Sequence, residues 1–130
     1  MMPARRDIDP AKMVSWLRNT FLVDVLQNPL EFRFRLVGTE VVHRLGMEIT
    51  GRKLRDLNLH GREHQTRAEY AAVVDSRAPR HSVELSGGRN NWEIDRLLMP
   101  LSEDGRSVNM LFGVQHAAAA CRWESGLSAV

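Results

Sequence analysis

The chain is poor in the features that make chemistry visible at a glance. It has one cysteine, Cys121, so no internal disulfide can form and no second thiol exists for a zinc site or a redox pair. The alanine run from Ala117 to Ala120 separates that thiol from His116, the nearest base in sequence, so Cys121 reads as structural. No apolar run approaches the roughly 20 residues that span a bilayer. The opening MMPARRDIDP has basic residues but no apolar stretch after them, unlike a secretory signal. The expectation is a cytoplasmic protein with no membrane contact. There is no Gly-x-Ser-x-Gly, no phosphate loop and no carboxylate cluster at acid–base spacing. An Asp–His pair of Asp24 with His81 or His116 can be imagined, but nothing in the sequence sets their distance, and no catalytic residue is assigned.

Charge of one sign is lacking too. Eighteen Lys and Arg stand against sixteen Asp and Glu, a net charge of +2, with acidic residues interleaved throughout. A nucleic-acid binder concentrates its charge in a stripe with aromatic platforms. Here Arg33 and Arg35 alternate with Phe32 and Phe34, which puts cations and rings on opposite faces of a strand. That pattern is a solvated face and a packed face, so no nucleic-acid partner is expected.

What is present is a soluble globular balance, 43% apolar and 26% charged over 130 residues. One domain of this size buries roughly two thirds of the surface of its unfolded chain. Asp9-Pro10 is a helix start, an N-cap followed by proline at the first helical position. Met13, Val14, Trp16 and Leu17 then predict a short amphipathic helix over 10–18, which must dock on its own domain or on a second copy. Phe21 to Leu26 and Glu31 to Val37 read as a hairpin around Gln27-Asn28-Pro29, with Phe32, Phe34 and Leu36 on one face. Thr39 caps a helical segment carrying Val41, Val42 and Leu45, stopped by Gly46. A short helical turn over 53–59 and a longer helix over 62–76, ended by Pro79, come next. Three strands over 81–85, 92–101 and 107–115 follow, joined by turns at 87–91 and 103–105. Five antiparallel strands with helices grouped on one face make an α+β sandwich of two layers.

Four stretches sharpen this: RRDIDP, FRFRLVGTEVV, ITGRKLRDL and DRLLMPLSEDGRSVNMLFG. Together they resemble a stand-alone PAS subfamily common in alphaproteobacteria, which typically reads ARRDIDP, FRYRLVGT, LTGR and ERLLLPL followed by DG. Phe34 stands where that subfamily often has Tyr, and Asp95 where it often has Glu. The resemblance runs from Ala4 to Val114. It implies a PAS-like five-stranded antiparallel sheet with helices packed on one face, over 20–116. An extra N-terminal helix within a capping or dimerisation segment (1–19) precedes it, and a tail (117–130) follows. It also implies a sensory module without catalysis that binds a small molecule, a signalling protein partner, or both.

A PAS-like pocket would lie between the concave sheet face and the helices of 39–76. Its candidate lining is Phe32, Phe34, Leu36, Val42, Tyr70, Trp92, Ile94, Arg96, Leu98, Met110 and Phe112, all of which also suit plain core packing. Arg96 is in phase with Trp92, Ile94 and Leu98. Buried there it would need an acidic partner, such as Glu40 or Asp56, or an anionic ligand. His43 and His64 could be proposed as haem ligands, but no haem motif accompanies them. His60 and His64 have helical metal spacing, but Gly61 lies between them and no third ligand is evident. No metal is expected, the cofactor is left unknown, and the sequence weighs against haem or flavin. Met13, Trp16 and Leu17 exceed the apolar needs of so short a helix, which points to a homodimer packed through them. With no output domain or kinase motif in the sequence, the signal is expected to pass to a separate protein. The alternatives are a ligand-free interaction adaptor and a small cone-shaped α+β enzyme.

Overall fold

The computed structural model describes residues 2–13, 15–59, 61–86 and 92–119. Val14, His60, the turn 87–91, Cys121 and most of the predicted tail lie outside the described residues, as do the side chains of Ser86, Trp92, Ala118 and Ala119.

Strands β1 (Thr20–Leu26), β2 (Glu31–Val37), β3 (Arg80–Ser86), β4 (Trp92–Leu101) and β5 (Met110–Ala119) form one antiparallel sheet of order β2-β1-β5-β4-β3. Helices α1 (Thr39–Leu45) and α2 (Glu63–Ser76), with a 3-10 turn at Leu54–Asp56, fill the β2-to-β3 connection. Among the described residues no helix is long and apolar enough to cross a membrane.

Strand β1 reads TFLVDVL and is buried along almost its whole length. Such a run needs cover on both faces, and it has it. Phe21, Val23 and Val25 face the helices in a core with Phe32, Phe34, Val41, Leu54, Tyr70 and Val73. Leu22 faces the other way, in a second cluster with Leu101, Met110 and Phe112 covered by Ile8 and Met13. The chain's N-terminal stretch is that cover. The Ser102 N–H donates to Pro3 O at 2.8 Å, and Arg6 pairs with Glu103 at 2.9 Å.

The predicted helix over 10–18 is not formed. Its place is taken by 3-10 turns at Arg5–Asp7, Pro10–Met13 and Leu17–Asn19. A segment this short cannot sustain an α-helix alone, and single 3-10 turns let the chain follow the sheet it covers. Met13 packs on that sheet, whereas Trp16 is 53% and Leu17 38% exposed.

Two boundaries moved for local reasons. The N-cap of α1 is Gly38, not Thr39; a Cβ at Gly38 would sit 2.4 Å from the Arg18 carbonyl oxygen, so the chain can cross there only without a side chain. Strand β5 begins at Met110 rather than 107 and runs on through Ala119. The Asp104 carboxylate accepts from the N–H groups of Arg106 and Ser107 at 2.8 and 2.9 Å, which holds those residues in a turn instead of a ladder.

Candidate functional site

The concave sheet face, α1 and α2 enclose a cavity of about 320 Å³. Its apolar wall comes from Phe21 and Phe34 of the sheet, Val41 and Leu45 of α1, Ile49 and Leu59 of the connecting chain, and Ile94 of β4. Tyr70 of α2 closes one side. Its ring stands edge-on to Phe32 at 5.4 Å and to Phe34 at 6.3 Å, and lies against Phe21 at 6.4 Å. Burial pushes the phenol's pKa upward against the opposing pull of Arg96, so Tyr70 stays neutral.

The polar groups of the cavity are unevenly matched. Arg96 is 12% exposed and donates to Glu69 at 3.4 Å and Glu84 at 3.2 Å. Arg62 forms an ion pair with the same Glu84. Arg44, in the last turn of α1, forms no ion pair with a carboxylate among the described residues. Its Nη2 donates to Gln115 Oε1 at 3.2 Å, and its buried Nε has no partner among the described residues. Burial lowers the guanidinium's pKa, Glu40 one turn earlier opposes that change, and Arg96 adds to it.

Among the residues singled out by sequence, the fold brings Phe34, Tyr70, Ile94 and Arg96 to the cavity. Phe32 and Leu98 are fully buried in the adjoining core. Val42 lies one position round α1 from the lining residue Val41 and is half-buried. The Trp92 side chain lies outside the described residues.

Three expected lining residues belong to the other face. Met110 and Phe112 pack under Ile8 and Met13, because β5, like β1, is apolar on both sides and alternation alone cannot say which side is concave. Leu36 is 50% exposed and borders a groove with Leu17 and Met13. The reason is a β-bulge. Val23 pairs with Phe34 but Leu22 pairs with Leu36, leaving Arg35 as the extra residue, and one inserted residue reverses every facing beyond it. Val37 takes the inward place instead and packs on the main core.

The partners expected for Arg96 are also corrected. Glu69 and Glu84 hold it, not Glu40 or Asp56. Asp24 is buried between Arg33 at 3.3 Å and Arg35 at 2.9 Å, and His81 meets Asp95 at 3.1 Å on exposed positions of β3 and β4. Neither arrangement is the Asp24–His pair imagined for an enzyme. His43 borders the cavity from the exposed side of α1, and His64 is exposed on α2. No group of three or more His, Cys, Asp or Glu able to hold a metal ion occurs among the described residues.

Sequence reasoning missed Arg44 and Gln115. The signal for Arg44 was its spacing, since Val41, Arg44 and Leu45 fall at i, i+3 and i+4 on one helical face. Gln115 gave none, being one polar residue near a strand end.

A five-stranded antiparallel sheet whose long β2-to-β3 connection folds over it as a helical cover, with a cavity beneath, is an α+β sensor architecture. The chain belongs to the PAS domain family, whose match spans residues 1–116. PAS domains are sensory and regulatory modules, generally not catalytic, and this chain is one.

Similar solved structures agree on the fold. One is a light-oxygen-voltage domain studied with a flavin analogue, with a TM-score of 0.62 at 14% identity over 91% of this chain and 90% of that one. The Rhodobacter sphaeroides LOV protein gives 0.55 at 18% identity over 85% and 68%. The PAS domain of Bordetella pertussis BvgS gives 0.53 at 13% over 91% and 89%. At such identities the likeness is one of fold alone. No curated protein matches the chain.

Proposed function

We propose that this PAS domain senses a small molecule taken up between the concave sheet face and α1 and α2, acting in the cytoplasm and passing its signal to a separate protein. The observation that carries this reading is the cavity. At about 320 Å³ it falls at the lower end of the roughly 300–1,000 Å³ of small-molecule sites. It also combines an apolar wall with the phenol of Tyr70 and with a polar group left unsatisfied among the described residues, Arg44 Nε.

The test is thermal melting against a panel of small metabolites, run in parallel on a variant with Ile94→Phe and Leu59→Phe, which fills the cavity from two walls. A ligand at a hundred times its Kd stabilises by about 2.7 kcal/mol, so a clear upward shift in Tm is expected for the native protein and none for the filled one. Equal shifts in both would remove the reading.

Flavin fits this lining poorly. The edge of an isoalloxazine alternates acceptors and donors, and among the described residues Gln115 is the one carboxamide that borders the cavity. The guanidinium groups around it only donate. An absorbance spectrum of the purified protein tests this directly.

The adaptor reading has its own observation. Val83 and Leu85 of β3 and Leu97 of β4 are exposed, Leu85 at 72%, which leaves apolar surface for a protein partner. A signalling partner that binds the filled variant as tightly as the native protein, with no ligand effect on either, would favour the adaptor over the sensor.

A further inference from the structure

We infer that the cavity selects a small monoanionic carboxylate with an apolar body, anchored by Arg44 and Gln115. This rests on the cavity being the ligand site. Among the described residues three guanidinium groups border it, Arg44, Arg62 and Arg96, and the carboxylates bonded to them are two, Glu69 and Glu84. Both carboxylates are committed to Arg62 and Arg96, so the unmatched positive charge sits on Arg44.

Every charged group facing Arg44 bears on this. Glu40 lies one turn away on the same helix and attracts it without forming an ion pair, and Arg96 repels it from across the cavity. His43 is its neighbour at the cavity rim. Arg44 is half-buried with its Nε buried and unpaired among the described residues, and a cation so placed without an anion carries a desolvation cost. Here the nearest acceptor is the neutral carboxamide of Gln115.

One uncompensated charge matches one carboxylate better than a phosphate ester, whose second charge would find no free cation. The guanidinium fork suits a planar carboxylate. The Gln115 amide NH2 can donate to the same group once its oxygen is engaged by Arg44. The rest of the ligand would lie among Phe21, Phe34, Ile49 and Leu59, which offer apolar contact only. Tyr70, which lines the same cavity, would meet a single polar substituent on that body.

The experiment uses matched probes. Phenylacetate, benzoate and octanoate are titrated calorimetrically beside phenylacetamide, benzamide and octanamide, with inorganic phosphate as an anion lacking an apolar body. The native protein is expected to favour at least one acid over its amide by about tenfold or more, the scale of one charge-assisted pair, and to ignore phosphate. Arg44→Met should erase that preference by weakening the acid and leaving the amide. Gln115→Leu should reduce it in part.

Arg44→Met also gives a readout without ligand. Removing a half-buried, unmatched charge should leave Tm unchanged or raised, and a large fall in Tm would show that the guanidinium is structural. If acids and amides bind equally, or Arg44→Met weakens both alike, the carboxylate assignment is overturned while the small-molecule reading stands. If nothing in either series binds at millimolar concentration, and the panel shifts native and filled proteins alike, the cavity reading itself fails.

Discussion

The ring of Phe21 occupies the space where a side chain on Gly113 would be. A Cβ at Gly113 would lie 2.1 Å from Phe21 Cζ, and the two residues face each other across β1 and β5. The missing side chain lets the far end of an aromatic ring pass close over the backbone of β5 as part of the cavity wall. Gly113→Ala is therefore expected to destabilise the fold by about 1–3 kcal/mol through overpacking. It should also push the ring into the cavity and weaken any ligand bound there. Chemical denaturation together with ligand titration checks both effects.

Arg77 ends α2 with φ of 56°, its N–H donating to Val73 O at 2.9 Å. That left-handed position suits glycine, and a non-glycine residue pays a steric penalty there. Arg77→Gly is expected to raise stability by about 1 kcal/mol, measured as a higher denaturation midpoint with an unchanged slope.

Glu31 is buried at the start of β2 and accepts from Arg67 at 2.8 Å and from the Phe32 N–H at 2.9 Å. Burial is the largest influence and opposes ionisation. The Phe32 N–H and Arg67 hydrogen bonds, with the charges of Arg67 and Arg55, together outweigh it and hold the carboxyl below its usual 4.5. A depressed folded-state pKa contributes stability that is present above the unfolded value and is lost as pH falls through the folded one. Glu31→Gln should cost about 2 kcal/mol at neutral pH. It should also flatten the fall in stability below about pH 4.5, read from denaturation midpoints across an acid series.

Trp16 and Leu17 remain exposed while Met13 is taken up by the chain's own sheet. We propose self-association through the first two, beside the groove bordered by Leu36 and Phe112. Trp16→Glu is expected to shift sedimentation to the monomer without lowering Tm. A native chain that sediments as a monomer at high concentration would remove the proposal.

Much of the fold could be read from the chain. The hairpin around Asn28-Pro29, the stop at Gly46, the long helix before Pro79 and the last two β runs all fall close to where turn chemistry and periodicity put them, because these signals act over a few residues. The faces of the sheet could not be read so. Met110, Leu111 and Phe112 are all apolar, and only packing shows that Leu111 faces the helices and its neighbours do not. Leu36 was misplaced by the single inserted residue Arg35, which alters no composition and breaks no pattern.

The division follows from range. Local sequence determined the five strands and the two α-helices, though not the helix expected over 10–18, and its motifs were enough to point to the PAS family. Tertiary structure decided which side of the sheet became the cavity and which arginine was left there without an acid. Arg96 was expected to meet Glu40, Asp56 or an anionic ligand, and the fold brought Glu69 and Glu84 to it from α2 and β3 instead. Arg44 was not singled out in the sequence, and the fold set it half-buried at the end of α1 beside Gln115 of β5. Charge matching is a matter of distances in space, and separation along the chain does not set those distances.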